Sequence, residues 1–428
     1  MASWCVLVAC GPSVPTEGQD GSGSADEGSD DGSSEVSSDT DVAPSRCGDG
    51  IVDPGESCDA GAATSACNEY CRVPGSIVQE VILGGCGAQA VRGDSDGDVV
   101  VLEYGCITGT NVLAVQVTRV DAAGAPRWSE FWTDPESSYA RATALALDAD
   151  GNAIVAGGAG SGNIVAPTAD YAYVRKHARD GTLAWMDTHV RDEHGNSAND
   201  IAVDGDGNVF EIGGDVDVAW LRKLDPDGAP LWDVEYPLVD GLASDTRIAA
   251  SSTGAFVVAM NQQPDDDDWI TAVASYGIDA TELWSAVIDR SEGGRDLPEA
   301  LVLAVDGTVH LTGEFESPAT YDNTVFVEAL SPAGASAWSW EHDAPSDACG
   351  IAVDHSGNSF VLMRVGEYEA ESLVVTRLSA AGAVEWQSTI AGPSKIGIAC
   401  GITLDAAENP VVAAAPLPDQ SWVAWLAR

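Results

Sequence analysis

From Ser76 to the C-terminus one unit of about fifty residues recurs, so the chain must build its core by stacking copies of a single small element. The clearest marker is a small-residue turn followed four positions later by tryptophan. It occurs at Gly124 and Trp128, Gly181 and Trp185, Gly228 and Trp232, Gly334 and Trp338, and Gly382 and Trp386. Ala280 and Trp284 make a degraded copy. A second marker precedes it, an Asp-x-x-Gly-Asn turn between alternating apolar runs, at Asp148 to Asn152, Asp204 to Asn208 and Asp354 to Asn358. Weaker forms stand at Asp94 to Asp98, Ser251 to Ala255, Asp306 to Thr308 and Asp405 to Asn409.

Each copy reads strand, Asp/Gly turn, strand, variable loop, strand, Gly turn, Trp strand. In the third copy the strands are Asp200 to Val203, Val209 to Ile212, Val218 to Leu224 and Leu231 to Tyr236. The alternation Val218, Trp220, Arg222, Leu224 has the two-residue period of a strand, not that of a helix. A lone sheet of this kind cannot bury both faces, and stacking sheets around an axis covers them. The expectation is an all-β chain, a seven-bladed β-propeller of four-stranded antiparallel blades over residues 75–428. The Asp/Gly turns give seven units and the Trp turns six, because the last unit stops at Arg428 one strand short. Ser76 to Leu83, alternating Ile77, Gln79, Val81 and Leu83, precedes the first unit and is expected to close the ring on the last sheet.

The phrases Ala202-Val203-Asp204-Gly205-Asp206-Gly207-Asn208 and Lys223-Leu224-Asp225-Pro226-Asp227-Gly228-Ala229-Pro230-Leu231-Trp232 resemble bacterial β-propeller repeats of the pyrroloquinoline-quinone-like and related surface-repeat families. The resemblance implies the fold, which does not by itself fix a function. Quinone dehydrogenase activity would require a larger ring with catalytic insertions. The Trp turn also departs from a sialidase Asp box, since it lacks the leading Ser/Thr and is one residue longer.

Ten cysteines point to an oxidising compartment. Cys86 and Cys106 are equidistant from Asp96 at the centre of the first Asp/Gly turn, so they face each other across that hairpin and can bridge. Cys349 and Cys400 each lie five residues before the turn Asp of their copies, Asp354 and Asp405, which makes a bridge between neighbouring inner strands plausible. Cys47, Cys58, Cys67 and Cys71 sit in a segment with almost no large apolar side chains, which needs covalent staples to fold. Their spacing does not show the paired short knuckles of structural zinc, so disulfides are preferred, with three pairings open. The run Cys47-Gly48-Asp49-Gly50-Ile51-Val52-Asp53-Pro54-Gly55-Glu56-Ser57-Cys58-Asp59 resembles the cysteine-rich repeat of myxobacterial surface lipoproteins, CGDGxxxxGExCD, and departs from it over Ala60 to Ala66. Residues 47–74 are expected to form this module.

The first ten residues end in Leu7-Val8-Ala9-Cys10, which resembles a bacterial lipobox with Cys10 as the lipidated residue. The apolar stretch is too short to span a bilayer. No Lys or Arg precedes it, which a start codon placed too far downstream would explain. Residues 11–46 are almost wholly Gly, Ser, Asp, Glu, Thr and Pro, the composition of a disordered, self-repelling tether. Gly11 after Cys10 resembles the sorting signal for the outer membrane. The chain is thus expected to be an outer-membrane lipoprotein at the cell surface, touching the membrane through its N-terminal lipid alone.

The net charge of −49 excludes a nucleic-acid partner, because a phosphate backbone would be repelled, and it favours a soluble monomer. Asp94, Asp96 and Asp98, and Asp204, Asp206 and Asn208, have the alternate-oxygen spacing of calcium loops. No consistent further carboxylate completes them, and hairpin turns are the preferred reading; calcium stays a weak candidate and no cofactor is assigned. Asp265 to Asp268 reads as a solvated loop tip, though it is the best single place for a cation contact. Trp128, Trp185, Trp232, Trp284, Trp338 and Trp386 hold one place in the repeat and are expected to anchor blade to blade. The six histidines occupy unrelated repeat positions. The reading is a non-enzymatic protein that binds a protein or glycan through blade-connecting loops. The alternatives are a hydrolase or lyase using channel carboxylates such as Asp200 or Asp245, and a purely structural envelope component.

Overall fold

The computed structural model describes residues 52, 56–59, 67–68, 71–84, 86–107, 113–134, 139–160, 162–163, 166–167, 169–190, 197–214, 218–237, 245–265, 268–291, 293–316, 321–366, 372–390, 400–417 and 420–428. Among them all regular structure is strand, in antiparallel sets of four. Strand β1 (Ile77–Gly84) stands first and alone in sequence. The first blade is β2 (Gly87–Gly93), β3 (Val99–Ile107), β4 (Leu113–Val120) and β5 (Pro126–Trp132). The second is β6 (Tyr139–Leu147), β7 (Ala153–Gly160), β10 (Tyr171–His177) and β11 (Leu183–His189), with the two-residue pair β8 (Gly162–Asn163) and β9 (Ala166–Pro167) inserted between β7 and β10. The third is β12 (Ala198–Val203), β13 (Val209–Gly214), β14 (Val218–Leu224) and β15 (Pro230–Pro237). The fourth is β16 (Thr246–Ala250), β17 (Phe256–Asp265), β18 (Asp268–Tyr276) and β19 (Glu282–Ile288). The next is β20 (Arg295–Leu303), β21 (Val309–Glu316), β22 (Asn323–Leu330) and β23 (Ser336–Glu341), followed by β24 (Ser346–Val353), β25 (Ser359–Val365), β26 (Ser372–Leu378) and β27 (Val384–Ile390). The last set, β28 (Cys400–Leu404), β29 (Pro410–Leu417) and β30 (Gln420–Leu426), is completed by β1.

The inner strands β2, β6, β12, β16, β20, β24 and β28 touch in that order, and β28 touches β2, so the ring closes around an axis. The expected closing strand is found as β1 antiparallel to β30, with Gln79 opposite Trp425 and Val81 opposite Val423. Core clusters lie between neighbouring sheets. Ala144, Ala146 and Ile154 of the second blade, for example, pack on Ile201, Val209 and Trp220 of the third.

The first turn of every blade is a five-residue connection that holds itself. Asp204 Oδ1 accepts the N–H of Asp206 (3.1 Å) and of Asn208 (2.9 Å), while Gly207 takes the left-handed backbone at φ 82°. The other carboxylate oxygen is neutralised from the third strand of the same blade. Lys223 reaches Asp204 at 3.1 Å, Lys176 reaches Asp148 at 2.9 Å, Arg377 reaches Asp354 at 3.5 Å, and Arg119 pairs with Asp94. Where the turn begins with Ser251 or Ala304, the third-strand position holds Ser275 or Ala329 instead of a cation. One turn is thereby corrected. It begins at Ala304, which hydrogen-bonds Thr308 and Gly307, and not at Asp306.

The repeated tryptophan sits across the blade boundary. Trp128 donates its indole N–H to Arg179 O (2.9 Å), Trp185 to Pro226 O (2.9 Å), Trp284 to Pro332 O (3.0 Å) and Trp338 to Ala380 O (2.9 Å). Each acceptor lies in the Gly turn of the following blade. At Trp232 that turn carries Ala280, at φ 60°, and the indole packs on Phe210 and Phe256. At the closure Gly75 meets Trp386, and Gln79 of β1 stands against Gly124 where other blades place the indole.

Cys349 and Cys400 form the expected bridge between neighbouring inner strands, with Cα atoms 5.3 Å apart. In the cysteine module Cys58 pairs with Cys67, and Cys71 is also disulfide-bonded. Asn68 donates to the carbonyl of Arg428 at 2.9 Å, tying the module to the end of the chain. Cys86 is disulfide-bonded and packs on Ala114. Cys10, Cys47 and the Cys106 side chain lie outside the described residues.

Candidate functional site

An inner strand has no partner on its axial side, so its backbone groups must find hydrogen bonds from side chains or water. Several channel residues supply them. Asp200 accepts Ile201 N (2.8 Å) and, from the neighbouring blade, Ile248 N (2.9 Å). Thr143 donates to Ala198 O (2.7 Å), and Thr403 accepts Gly93 N (3.1 Å). Arg247 donates to the carbonyls of Thr246 (3.1 Å) and Glu299, and to the Glu299 carboxylate (3.1 Å). Arg92 donates to Val91 O (2.9 Å).

Counting back from the first residue of each turn, the fourth position reads Ala90, Ala144, Asp200, Arg247, Ala300, Gly350 and Gly401 around the ring. The second position reads Arg92, Ala146, Ala202, Ala249, Val302, Ala352 and Thr403. These positions are therefore small or apolar except for Thr403 and three charges, Arg92, Asp200 and Arg247. Burial raises the Asp200 pKa against the opposing pull of Arg247. Burial likewise lowers that of Arg92, opposed by Asp200. Burial also works against the charge on Arg247, but Glu299, Asp200 and Asp245 outweigh it, and its pKa is raised.

Toward the end where the inner strands begin, the charges thicken. Glu314 accepts Ala348 N (2.6 Å) and the Asn323 amide (2.9 Å), and the same amide reaches Asp347 at 3.2 Å. Arg364 pairs with Asp347 at 3.1 Å. Asp245 faces Asn261, whose Oδ1 accepts the Asp245 N–H at 3.2 Å. Burial, then repulsion from Glu299 and Asp347, pushes the Glu314 carboxyl up to about 8. Glu299 is raised by burial too, with Arg247 opposing.

Both carboxylates singled out from the sequence, Asp200 and Asp245, thus lie at this channel. Arg92, Arg247, Glu299, Glu314, Asp347 and Arg364 were not anticipated. The calcium candidates lie at the turns, at the opposite end of the strands. Asp94 accepts Asp96 N (2.9 Å) and Asp98 N (3.0 Å) and pairs with Arg119 and Arg179, while Asp98 pairs with Arg127 at 2.7 Å. Among the described residues no three His, Cys, Asp or Glu side chains are grouped to hold a metal. Asp268 accepts Gly293 N at 3.0 Å, and Asp266 and Asp267 lie outside the described residues.

The two ends of the strands differ in another way. Every connection from first to second strand, and from third to fourth, has five residues. The connections at the other end of the strands, the end where Asp245 and Glu314 lie, run from two to ten residues.

No family model matches the sequence, and no curated protein matches it. Among solved structures the chain is similar to the WD40 domain of Pan2 from Neurospora crassa, at TM-score 0.51 and 10% identity, over 81% of this chain and 95% of that one. It is also similar to a polysaccharide lyase of family PL25, an ulvan lyase solved with -[GlcA(1-4)Rha3S]- bound, at TM-score 0.51 and 9% identity, over 82% of this chain and 96% of that one. At these identities the likeness shows the fold, a β-propeller.

Proposed function

We propose that the chain is a lipid-anchored, extracytoplasmic, seven-bladed β-propeller that binds a protein or glycan at the cell surface without catalysing a reaction. The observation that carries this reading is the asymmetry between the strand ends. Uniform five-residue turns join the strands at one end, and all the variation in connection length is gathered at the other, the end of Asp245 and Glu314. Binding residues concentrate on variable loops held by a rigid scaffold. The lipobox-like Leu7 to Cys10 and the acidic stretch 11–46 support a tethered display away from the membrane. The channel-acid alternative has less support, because both Asp200 oxygens already accept backbone N–H groups.

The test is saturable binding of the mature protein to cell-surface material. Replacing residues 391–399 by a short Gly-Ser link should weaken binding, whereas Asp150→Lys at the turn end should leave it unchanged. Binding that maps to the turn end, or no saturable binding, would overturn the reading. Incorporation of a palmitate analogue, lost in Cys10→Ala, tests the anchor separately.

A further inference from the structure

The boundary between the third and fourth blades differs from the others in what fills it. On the third strand of a blade, the side chain facing the blade before is Tyr173 in the second blade, Trp220 in the third, Phe326 in the fifth and Trp422 in the last. Each is buried in the cluster it shares with that neighbour. Val374 holds the place in the sixth blade, where Trp340 of the fifth packs into the same cluster. A glycine opposite makes room for three of the rings, with Gly157 across from Tyr173, Gly213 from Trp220 and Gly313 from Phe326. In the fourth blade the pair is Met260 and Ala272.

Two residues further along the strand, this boundary again lacks what its neighbours have. Arg175 pairs with Glu130 between the first and second blades, Arg222 with Asp187 between the second and third, and Glu328 with Arg290 between the fourth and fifth. The fourth blade has Ala274 at that place, and the third blade carries Val234 where the first and second carry Glu130 and Asp187. Ala272 and Ala274 are only partly buried, whereas Tyr173, Trp220, Arg175 and Arg222 are buried. A cleft of about 440 Å³ is left on this flank of the ring, so Met260 refills only part of the space. Met260, Ala272, Ala274, Tyr276 and Val287 give its apolar lining. Gln262, Ser285 and Glu282 give its polar groups, and Glu282 is the one charged side chain among the described lining residues. Small-molecule sites have volumes of roughly 300–1,000 Å³ and this same mixture of apolar lining and few polar groups.

We propose that this cleft binds a small aromatic amine, its planar ring taking the space that aromatic side chains fill at other boundaries and its ammonium group directed to Glu282. Burial of the ring supplies the affinity, and the carboxylate, in a chain of net charge −49, sets the sign of the charge accepted. Glu282 follows the five-residue turn between β18 and β19, at the end of the strands away from the variable connections. Failure of this site and failure of the surface-binding reading are therefore separate results.

The experiment is calorimetric titration of the full-length protein at neutral pH and low ionic strength with tryptamine, indole and indole-3-acetate, which carry one ring with positive, no and negative charge. Saturable binding of tryptamine is expected, with indole weaker and indole-3-acetate weakest. Met260→Gly combined with Ala272→Trp rebuilds the Gly213–Trp220 arrangement in the fourth blade. It should weaken tryptamine binding about tenfold or more while the melting temperature does not fall. Glu282→Gln, at an exposed position, should bring tryptamine down to the level of indole and leave indole unchanged, and it decides the matter should the double variant fail to fold. Absence of saturable tryptamine binding, undiminished binding by the folded double variant or by Glu282→Gln, or indole-3-acetate binding as tightly as tryptamine overturns the proposal.

Discussion

The indole of Trp185 lies directly over Gly228 of the following blade: a Cβ on that glycine would stand 2.7 Å from the ring, while the Trp185 N–H donates to Pro226 O at 2.9 Å. The glycine and the tryptophan of the repeat therefore serve different boundaries. Gly181, Gly228, Gly334 and Gly382 each seat the tryptophan of the blade before, Trp128, Trp185, Trp284 and Trp338.

Gly228→Ala should accordingly destabilise the protein twice over. An alanine at φ 87° costs about 1–2 kcal/mol, and displacing the packed indole adds about 1–3 kcal/mol. Urea unfolding with an unchanged m-value measures the sum. The reciprocal change, Ala280→Gly, relieves a left-handed alanine at φ 60° and should raise stability, by up to about 1 kcal/mol.

Glu314 gives a pH dependence with a defined sign. Its folded pKa of about 8 lies above the ordinary 4.5, so between those values the folded chain holds a proton that the unfolded chain has lost. Stability from this group is present below about pH 4.5 and is lost as pH rises through 8. Glu314→Gln should remove that loss and gain about 2–4 kcal/mol over the parent at pH 9, with little difference at pH 4. Chemical unfolding across pH reads both arms, and a parallel shift at every pH would refute it.

His310 works in the opposite direction. Burial against Trp338 lowers its pKa to about 4, and its Nδ1 shares a 2.9 Å hydrogen bond with the Ser359 hydroxyl. The neutral ring favours the fold above the unfolded pKa of 6.5, and this contribution is lost as pH falls toward 4. Its ring protons should show no titration between pH 8 and 6 by NMR.

The Cys349–Cys400 bridge closes a 51-residue separation between adjacent inner strands. Cys349→Ala with Cys400→Ala should lower stability by about 3–4 kcal/mol, chiefly by releasing the unfolded chain. Thermal unfolding of the double variant, with the parent under reductant for comparison, checks this value.

Much of the fold was written in the repeat. A turn Asp caps its own backbone, so its spacing survives from copy to copy, and β1 was legible because it alternates without a unit of its own. The Ala304 turn was misplaced because its first residue carries no capping oxygen, leaving Asp306 as the only visible acid. Within the repeat, Asp94, Asp148, Asp204 and Asp354 pair with cations on the third strand, while Ser251 faces Ser275 and Ala304 faces Ala329. That matching of turn acid to third-strand cation is visible in the sequence alone. Asp200 and Arg247 were likewise readable as charges at a position otherwise held by Ala or Gly. Glu314 and Asp347 were not, since they meet only because the ring brings a second strand and the next inner strand to one mouth.

The pairing of β1 with β30 also sets an order of events during synthesis. The first strand made must wait for the last before it can find its partner, and the loop it closes is nearly the whole domain. A chain stopped anywhere short of β30 leaves β1 without its partner, as an exposed edge, and leaves β29 without its outer neighbour. Synthesis through β30 is in this sense part of the folding mechanism, and products cut short of it carry an unpaired strand far from the cut, at β1.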